Sequence, residues 1–223
     1  MVRLSLVVGS LLAFIACAGV RESYVSVPSV GGQTENPDQA DVITLEGLTM
    51  VLRPHNVLVT RDGTLLTLPL PPAKIGGKVS EDERLFNSSW YPEPNPSYFF
   101  VEVAFISETN GYRFDPLGTT LSLEDGRQLQ PQSSFGPFIA RVGWKKEVPF
   151  FLCEVWPEDR VLEESLEIHD DAQTCIALRF DVPPPLPGEA FAIQLSELTY
   201  EGTAVALPSI EYKATKHVSS VYQ

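Results

Sequence analysis

The sequence predicts an all-β fold, an antiparallel β-sandwich that could be immunoglobulin-like and that carries long proline-rich loops. Roughly ten short apolar or alternating segments recur along the chain, as they do in sandwich domains. Glycine, proline and aspartate residues separate these segments and supply the turns. Because no long stretch has helical periodicity, the sequence favours strands over helices.

The first predicted strands lie between residues 42 and 68. Residues 42–52 alternate between apolar and polar side chains, and Gly47 in the middle indicates a β-bulge. Residues 57–60 and 64–68 flank the Arg-Asp-Gly tripeptide at 61–63. Aspartate followed by glycine between two apolar runs is a hairpin signal, so these two runs are predicted to pair.

The clearest strand is predicted at residues 98–106, where both faces are apolar apart from Glu102. This pattern is typical of a strand buried inside a sandwich. Residues 119–123 and 127–130 flank the Glu-Asp-Gly tripeptide at 124–126 and predict a second hairpin. Pro208 indicates an edge strand or a bend in the last strand. The remaining strands are predicted at residues 138–144, 148–156, 174–182, 191–195 and 204–212.

The N-terminal segment has the features of an export signal. Arg3 precedes an apolar run over residues 4–15, which at about 12 residues is too short to span a bilayer as a helix. The motif Phe14-Ile15-Ala16-Cys17 follows and resembles the lipobox of bacterial lipoproteins, which ends in an obligatory cysteine. The resemblance implies removal of residues 1–16 and a lipid on Cys17. Ala18 stands where inner-membrane lipoproteins carry aspartate, which implies the outer membrane.

A competing cleavage site overlaps this motif. Ala16-Cys17-Ala18 fits the small-x-small pattern of ordinary signal peptidase cleavage. Cleavage there would release a secreted or soluble periplasmic chain that begins at Gly19.

The predicted organisation has four parts. Residues 1–16 form the signal peptide, and residues 17–40 form the lipidated cysteine and a flexible tether, because this stretch is polar and contains prolines and paired glycines. Residues 41–215 form the sandwich domain, and residues 216–223 form a polar tail. Two small β domains divided near residues 126–137 are the alternative.

Cys153 and Cys175 remain as an even pair once Cys17 is set aside. An even number of cysteines in a chain bound for an oxidising compartment predicts a disulfide. Two reduced, buried thiols are the alternative. The sequence contains no Cys-x-x-Cys motif, and no histidine lies at ligand spacing beside either cysteine, so neither redox catalysis nor metal binding is predicted for this pair.

The charge balance limits the partners. The chain carries 29 acidic and 16 basic residues, a net charge of -13. Nucleic-acid binding needs clustered lysine and arginine, so it is not expected. Anionic lipid headgroups would repel the domain. We therefore expect membrane contact through the N-terminal lipid, together with envelope protein partners of unknown identity.

The sequence predicts no catalytic residue, no cofactor and no metal site. Motifs for a nucleophilic serine or a phosphate-binding loop are missing. His55 is expected to be a half-exposed turn residue, and His169 is expected to pair with its acidic neighbours. The acidic stretch from Glu158 to Asp171 is expected to be the solvated face of a short helix, with a cation site as the alternative.

The surface candidate for binding is the aromatic loop of residues 90–98, at the end of the long irregular stretch of residues 69–96. Trp90, Tyr91 and Tyr98 could be held by neighbouring prolines to bind a peptide, glycan or protein, or could fold back to cover the sandwich. We therefore expect a non-enzymatic, lipid-anchored envelope protein that binds a protein or ligand. The alternatives are an envelope hydrolase or metal-handling protein whose site assembles from distant residues, or a peptide- or glycan-binding module that uses this loop.

Overall fold

The computed structural model describes residues 16–30, 42–67, 73–74, 85–86, 96–145, 148–153, 160–170 and 173–222. These residues form antiparallel strands and one short 3-10 turn, so the predicted all-β sandwich is confirmed. The immunoglobulin-like arrangement stays a prediction. The strands are β1 Ala16–Val30, β2 Val42–Leu45, β3 Leu48–Pro54, β4 Leu58–Thr67, β5 Ala73–Lys74, β6 Leu85–Phe86, β7 Phe99–Ser107, β8 Tyr112–Phe114, β9 Thr120–Leu123, β10 Gln128–Leu129, β11 Ser133–Lys145, β12 Val148–Cys153, β13 Leu166–Ile168, β14 Thr174–Phe180, β15 Phe191–Gln194, β16 Leu198–Tyr200, β17 Thr203–Val205 and β18 Ser209–Tyr222.

The strands form three sheets. An eight-stranded sheet has the order β10-β9-β15-β18-β1-β4-β5, with β6 also paired to β4. A six-stranded sheet has the order β12-β11-β14-β7-β3-β2, and a four-stranded sheet has the order β13-β8-β16-β17. Both larger sheets pair strands from the two sides of residues 126–137, because β7 pairs with β14 and β9 pairs with β15. A division of the chain at that point would therefore cut through both sheets.

The main core lies between the eight-stranded and six-stranded sheets. Phe99 of β7 meets Phe191 of β15 edge to face, with ring centroids 5.9 Å apart. Phe191 in turn stacks on Tyr212 of β18 at 4.4 Å. Each fully buried side chain of this size contributes about 2–3 kcal/mol through the hydrophobic effect. The alternation of apolar residues in β15 and β18 therefore decides which face of these two strands points inward.

The six-stranded sheet also buries its opposite face. Phe100 and Ala104 of β7 lie there beside Cys175 and Ala177 of β14, and all four are buried. The bulky residues Phe135 and Phe138 of β11 complete this second cluster. The prediction that residues 98–106 form a strand buried on both sides is confirmed.

The four-stranded sheet closes one end of the core. Phe114 of β8 and Leu198 of β16 pair across this sheet, and both belong to the main core. The Tyr112 hydroxyl donates a hydrogen bond to the Glu46 carbonyl in the turn between β2 and β3. Burial raises the pKa of Tyr112, and the neighbouring Tyr200 and Glu46 add to the increase.

The predicted hairpin at residues 119–130 is present. β9 and β10 pair, and the Leu123 amide donates to the Arg127 carbonyl at 2.9 Å. Gly126 has a φ of 86°, a left-handed conformation that glycine adopts without steric cost. Asp125 accepts hydrogen bonds from the backbone and then from the side chain of Arg127, and these bonds lower the pKa of its carboxyl group.

Two other predicted turns are wrong. Gly47 lies in the two-residue turn that joins β2 to β3, with a φ of 72°, and does not form a bulge within one strand. No hairpin forms at residues 61–63, because β4 runs without interruption from Leu58 to Thr67. Val20 pairs with Gly63 whereas Glu22 pairs with Thr60, so β4 carries one extra residue there. The aspartate-glycine signal is accommodated as a β-bulge.

The flexible tether and the polar tail also differ from the structure. Over Ala16–Val30 and Ser209–Tyr222 the chain forms two strands, β1 and β18, which pair from Gly19–Tyr222 to Val30–Ile210. β4 flanks β1 on its other side. Residues 16–24, 58–67 and 217–222 together form what we call the ribbon. Residues 213–218 are exposed, in keeping with a polar tail, and they still form a strand because backbone pairing does not require apolar side chains. Residues 31–40 of the predicted tether lie outside the described residues.

Candidate functional site

Cys153 and Cys175 form a disulfide, consistent with the prediction. The bridge joins β12 to β14, and both strands pair with β11. The two Cα atoms are 5.9 Å apart, which is ordinary disulfide spacing. Because Cys175 is fully buried against the second apolar cluster, the bridge covalently fixes β12 to the interior of the fold.

Cys17 lies near the outer end of the ribbon. Its backbone pairs with Leu66 of β4, two residues before the pair between Gly19 and Tyr222. Tyr24 is the ribbon residue next to the sandwich and lies seven positions after Cys17. Seven positions of extended strand span about 23 Å. Lipidation of Cys17 itself stays a prediction.

His55 departs most clearly from its predicted role. It was expected to be half-exposed at a turn, but it is 5% exposed, and its Nε2 atom lies 3.1 Å from Glu102 Oε2. The backbone places the pair, because the His55 amide donates to the Phe100 carbonyl and Arg53 lies directly opposite Glu102 in the sheet. Arg53 Nη1 is 3.7 Å from the same carboxylate oxygen.

This cluster has the geometry of a structural ion pair. Glu102 is 1% exposed, and Arg53 is the most exposed member of the cluster. A hydrolase or metal site would need His55 to converge with at least two carboxylates in an open pocket. Within the described residues, no group of three or more histidine, cysteine, aspartate or glutamate side chains is arranged to hold a metal ion.

The acidic stretch does not form the predicted helix. The described residues 160–170 begin with an isolated β-bridge between Val161 and Phe135, and Leu166–Ile168 is strand β13. Glu167 forms a hydrogen bond with Arg113 at 2.6 Å. This bond and the arginine charge lower the pKa of Glu167, and the nearby His169 makes a smaller contribution. Glu158, Asp159 and Asp171 lie outside the described residues.

Only part of the predicted binding loop can be placed. Trp90 and Tyr91 lie outside the described residues. Tyr98 is half-buried and meets Phe100 edge to face, with ring centroids 5.4 Å apart. The Arg179 guanidinium lies 4.7 Å from the centre of the Tyr98 ring. Both contacts fix Tyr98 to the six-stranded sheet, so its role in the described structure is packing.

A groove of about 890 Å³ lies close to this loop. One wall is the Pro183–Pro184–Pro185–Leu186 segment that follows β14, and Pro96 and Ser97, just before Tyr98, also line the groove. The turn between β9 and β10 forms the other wall. Three successive prolines have fixed φ angles and hold the backbone of this wall; Pro183 is exposed, whereas Pro184 and Pro185 are buried. The volume falls within the usual range for ligand pockets.

The proline wall is held in place by the eight-stranded sheet. Asn56, which is 1% exposed, donates from Nδ2 to the Pro185 carbonyl at 3.2 Å and to the Ser26 hydroxyl at 2.7 Å. Ser26 belongs to β1, so this contact connects the wall to a central strand. Leu186 remains 48% exposed beside the groove. The groove therefore combines a fixed wall with an apolar side chain open to solvent.

Two carboxylates on the groove are fixed by backbone amides. The Ala190 amide donates to Glu124 Oε2 at 3.3 Å, and the Leu186 amide donates to Glu189 Oε2 at 2.8 Å. Asp125 and Arg127 also line the groove, but their charges compensate each other through a 2.6 Å contact. The side chains of the groove therefore carry a net negative charge, contributed by Glu124 and Glu189.

The sequence analysis did not identify this site. Its signal is the run Pro183-Pro184-Pro185 next to an acidic turn. The aromatic loop attracted the prediction instead, because aromatic residues dominate many binding surfaces. The two walls are 56 or more residues apart in sequence, and the pairing of β9 with β15 brings them together.

Comparisons with known proteins identify no relative. No protein-family model, no curated protein and no solved structure matches this chain. Within the described part of the chain, no helix is long and apolar enough to cross a membrane. The fold and the site therefore define the class, a disulfide-bonded all-β sandwich with an acidic, proline-walled groove.

Proposed function

We propose that this chain is an exported, lipid-anchored protein of the bacterial envelope whose β-sandwich acts by binding and not by catalysis. The observation that carries the proposal is the Cys153–Cys175 disulfide. Disulfides persist in oxidising compartments such as the periplasm, so the bridge supports export. It also leaves Cys17 as the single remaining cysteine of the chain.

The position of Cys17 supports an anchoring role. A lipid at this residue would attach to the outer end of the ribbon, with the sandwich at the opposite end. Several acyl chains on one cysteine bind a bilayer firmly, because each buried methylene contributes about 0.8 kcal/mol. The acidic domain would then stay at the membrane despite its net charge of -13.

The binding role is supported by the groove and by the surroundings of the histidines. His55 is buried against Glu102, and His169 lies beside Glu167, which pairs with Arg113. The groove at Pro183–Leu186, in contrast, is open and preformed. An open groove that neither His55 nor His169 lines favours binding over acid–base chemistry.

Mass spectrometry of the mature protein from a bacterial membrane fraction tests the proposal. We expect a chain that begins at Cys17 and carries the mass of two or three acyl chains. The Cys17→Ser variant should lose that mass and leave the membrane fraction, while Cys153 and Cys175 stay bridged. An unmodified chain that begins at Gly19 would contradict lipidation and support plain secretion.

The proposed outer-membrane location has its own test. Ala18→Asp should shift the lipidated protein toward the inner-membrane fraction, and Ala18→Ser serves as the matched control. Equal distribution of the two variants between the membranes would contradict the outer-membrane assignment.

A further inference from the structure

We propose that the groove between the β9–β10 turn and the Pro183–Leu186 wall binds a short extended peptide segment that carries a lysine or arginine beside apolar side chains. This inference rests on the proposed binding function and names the class of partner. It uses described residues only, and none of them belongs to the disulfide or the ribbon.

The first argument is charge complementarity. Glu124 and Glu189 give the groove its net negative charge, and the whole chain carries -13. Within the described chain, both carboxylates accept their hydrogen bonds at Oε2. Oε1 of each carboxylate is therefore available to accept from a cationic group, and hydrogen bonds between ions are stronger than neutral ones.

The second argument is preorganisation. The Ala190 and Leu186 amides hold the two carboxylates in position before a partner arrives, so little side-chain entropy is lost on binding. Asn56 likewise fixes the Pro185 carbonyl through a hydrogen bond from its side-chain amide. A rigid wall favours a partner that is itself extended, because such a segment can follow the wall without rearranging it.

The third argument is the mixed chemistry of the surface. The exposed ring of Pro183 and the half-exposed Leu186 offer apolar contact next to the carboxylates. A metal ion alone would not use the apolar wall, and an acidic partner would be repelled. Arginine and lysine side chains combine an apolar stem with a charged end, so they match both parts of the groove.

Fluorescence anisotropy with the purified mature protein provides the test. The probe is a fluorescein-labelled heptapeptide with a central arginine flanked by leucine and valine, compared with otherwise identical peptides that carry glutamine or glutamate at the centre. We expect the arginine peptide to bind at least about tenfold more tightly than the glutamine peptide and more tightly still than the glutamate peptide. The affinity should fall as salt is raised, because exposed charges are screened.

Matched variants locate the binding. Glu124→Gln combined with Glu189→Gln removes both charges but keeps an oxygen for each backbone amide, and it should weaken binding of the arginine peptide about tenfold. Leu186→Ser should weaken it as well. Glu163→Gln combined with Glu164→Gln removes two exposed carboxylates away from the groove and changes the net charge equally. Equal affinity of these two double variants, or equal binding of the three peptides, would overturn the proposal.

Lipidation of Cys17 and peptide binding by the groove can be contradicted independently of each other. Lipidation is read from the mass of the same purified protein, and peptide affinity does not depend on the modification. A lipidated protein without selectivity for the arginine peptide overturns the peptide-binding inference alone. An unmodified protein that binds the peptide overturns the anchor alone.

Discussion

The imidazole of His55 lies 3.1 Å from the carboxylate of Glu102, and both side chains are buried. Buried polar contacts are costly to break, because removing one partner leaves the other polar group buried without that contact. The pair also connects β7 to the segment that follows β3, since Glu102 is in the first and His55 is in the second. It therefore fixes the chain just before Asn56, which positions the proline wall.

The first prediction concerns this pair. Glu102→Ala should lower the free energy of unfolding by about 3 kcal/mol, because it leaves His55 buried without its carboxylate. Arg53→Ala removes the exposed member of the cluster and should cost less than about 1 kcal/mol. Urea unfolding followed by circular dichroism measures both changes. Equal costs for the two variants would mean that the pair is not the main contribution of Glu102.

The second prediction concerns the disulfide. Replacing Cys153 and Cys175 together by alanine should lower the stability by about 3 kcal/mol, because the bridge closes a loop of 22 residues in the unfolded chain. Alanine avoids placing a hydroxyl at the fully buried Cys175. Wild-type protein unfolded with and without a thiol reductant is the control. A stability that does not respond to reduction would contradict a structural role for the bridge.

The third prediction concerns two exposed carboxylates whose pKa values are lowered for different reasons. The largest effect on Asp125 is a backbone hydrogen bond from residue 127, whereas the two largest effects on Glu167 come from the side chain of Arg113. Arg113→Gln should therefore raise the pKa of Glu167 most of the way back to its ordinary value. Arg127→Gln should raise the pKa of Asp125 only part of the way back to its ordinary value, because the backbone amide of residue 127 still donates its hydrogen bond.

Carbon-13 NMR titration of the side-chain carboxyl groups measures this difference. The sign of the effect on stability follows from the direction of the shifts. A lowered folded-state pKa stabilises the protein above the unfolded-state pKa of about 4, and this contribution is lost as the pH falls through the folded-state value. If Arg127→Gln restored Asp125 as fully as Arg113→Gln restores Glu167, the assigned role of the backbone amide would be wrong.

The fourth prediction compares two glycines with positive φ. Gly126 has a φ of 86° and nothing within 4 Å of an added Cβ atom, so Gly126→Ala should cost about 1–2 kcal/mol for backbone strain alone. Gly136 has a φ of 127°, and a Cβ atom there would lie 3.0 Å from the Cys175 carbonyl oxygen and 3.3 Å from Ile176 Cγ2. Gly136→Ala should therefore lower the melting temperature more, as measured by thermal unfolding. A smaller effect at Gly136 would mean that β14 yields to the methyl group.

The strands of the core could be predicted from the sequence, because their pattern reports burial directly. β7 is apolar on both faces apart from Glu102, β14 has one continuous apolar face, and both lie in the middle of the six-stranded sheet. The β9–β10 hairpin could also be predicted, since Asp125 and Gly126 supply its turn chemistry. The single strand predicted over residues 204–212 was wrong, because Pro208 falls between β17 and β18, and β18 lies inside the eight-stranded sheet and not at its edge.

The errors share a physical cause. Turn signals such as the one at residues 61–63 act locally, and pairing with β1 over the whole length of β4 outweighs them. Residues 213–218 of β18 are exposed, and hydropathy does not detect a strand whose side chains remain in solvent. The buried His55 was missed because its partner lies 47 positions away, although Glu102 was already the one charged residue in an apolar strand.

The groove could not be predicted for a related reason. Its walls come from distant parts of the chain and meet through the pairing of Phe191 with Leu123. Proline runs and acidic turns are each common in loops, so neither indicates a site without the other. The sequence contains both the proline run and the acidic turn, but it does not show that the two lie close together in the fold.

The antiparallel pairing of β1 with β18 has a practical consequence for labelling this protein. Because Tyr222 pairs with Gly19, a reporter fused after Tyr222 would stand beside the N-terminal end of β1. A dye or affinity tag placed there would report on the end of the ribbon that contains Cys17, the proposed lipidation site. The turn at Glu201 and Gly202 is exposed, and an added Cβ atom at Gly202 meets nothing within 4 Å. An epitope inserted at that turn would leave the ribbon, the disulfide and the groove untouched.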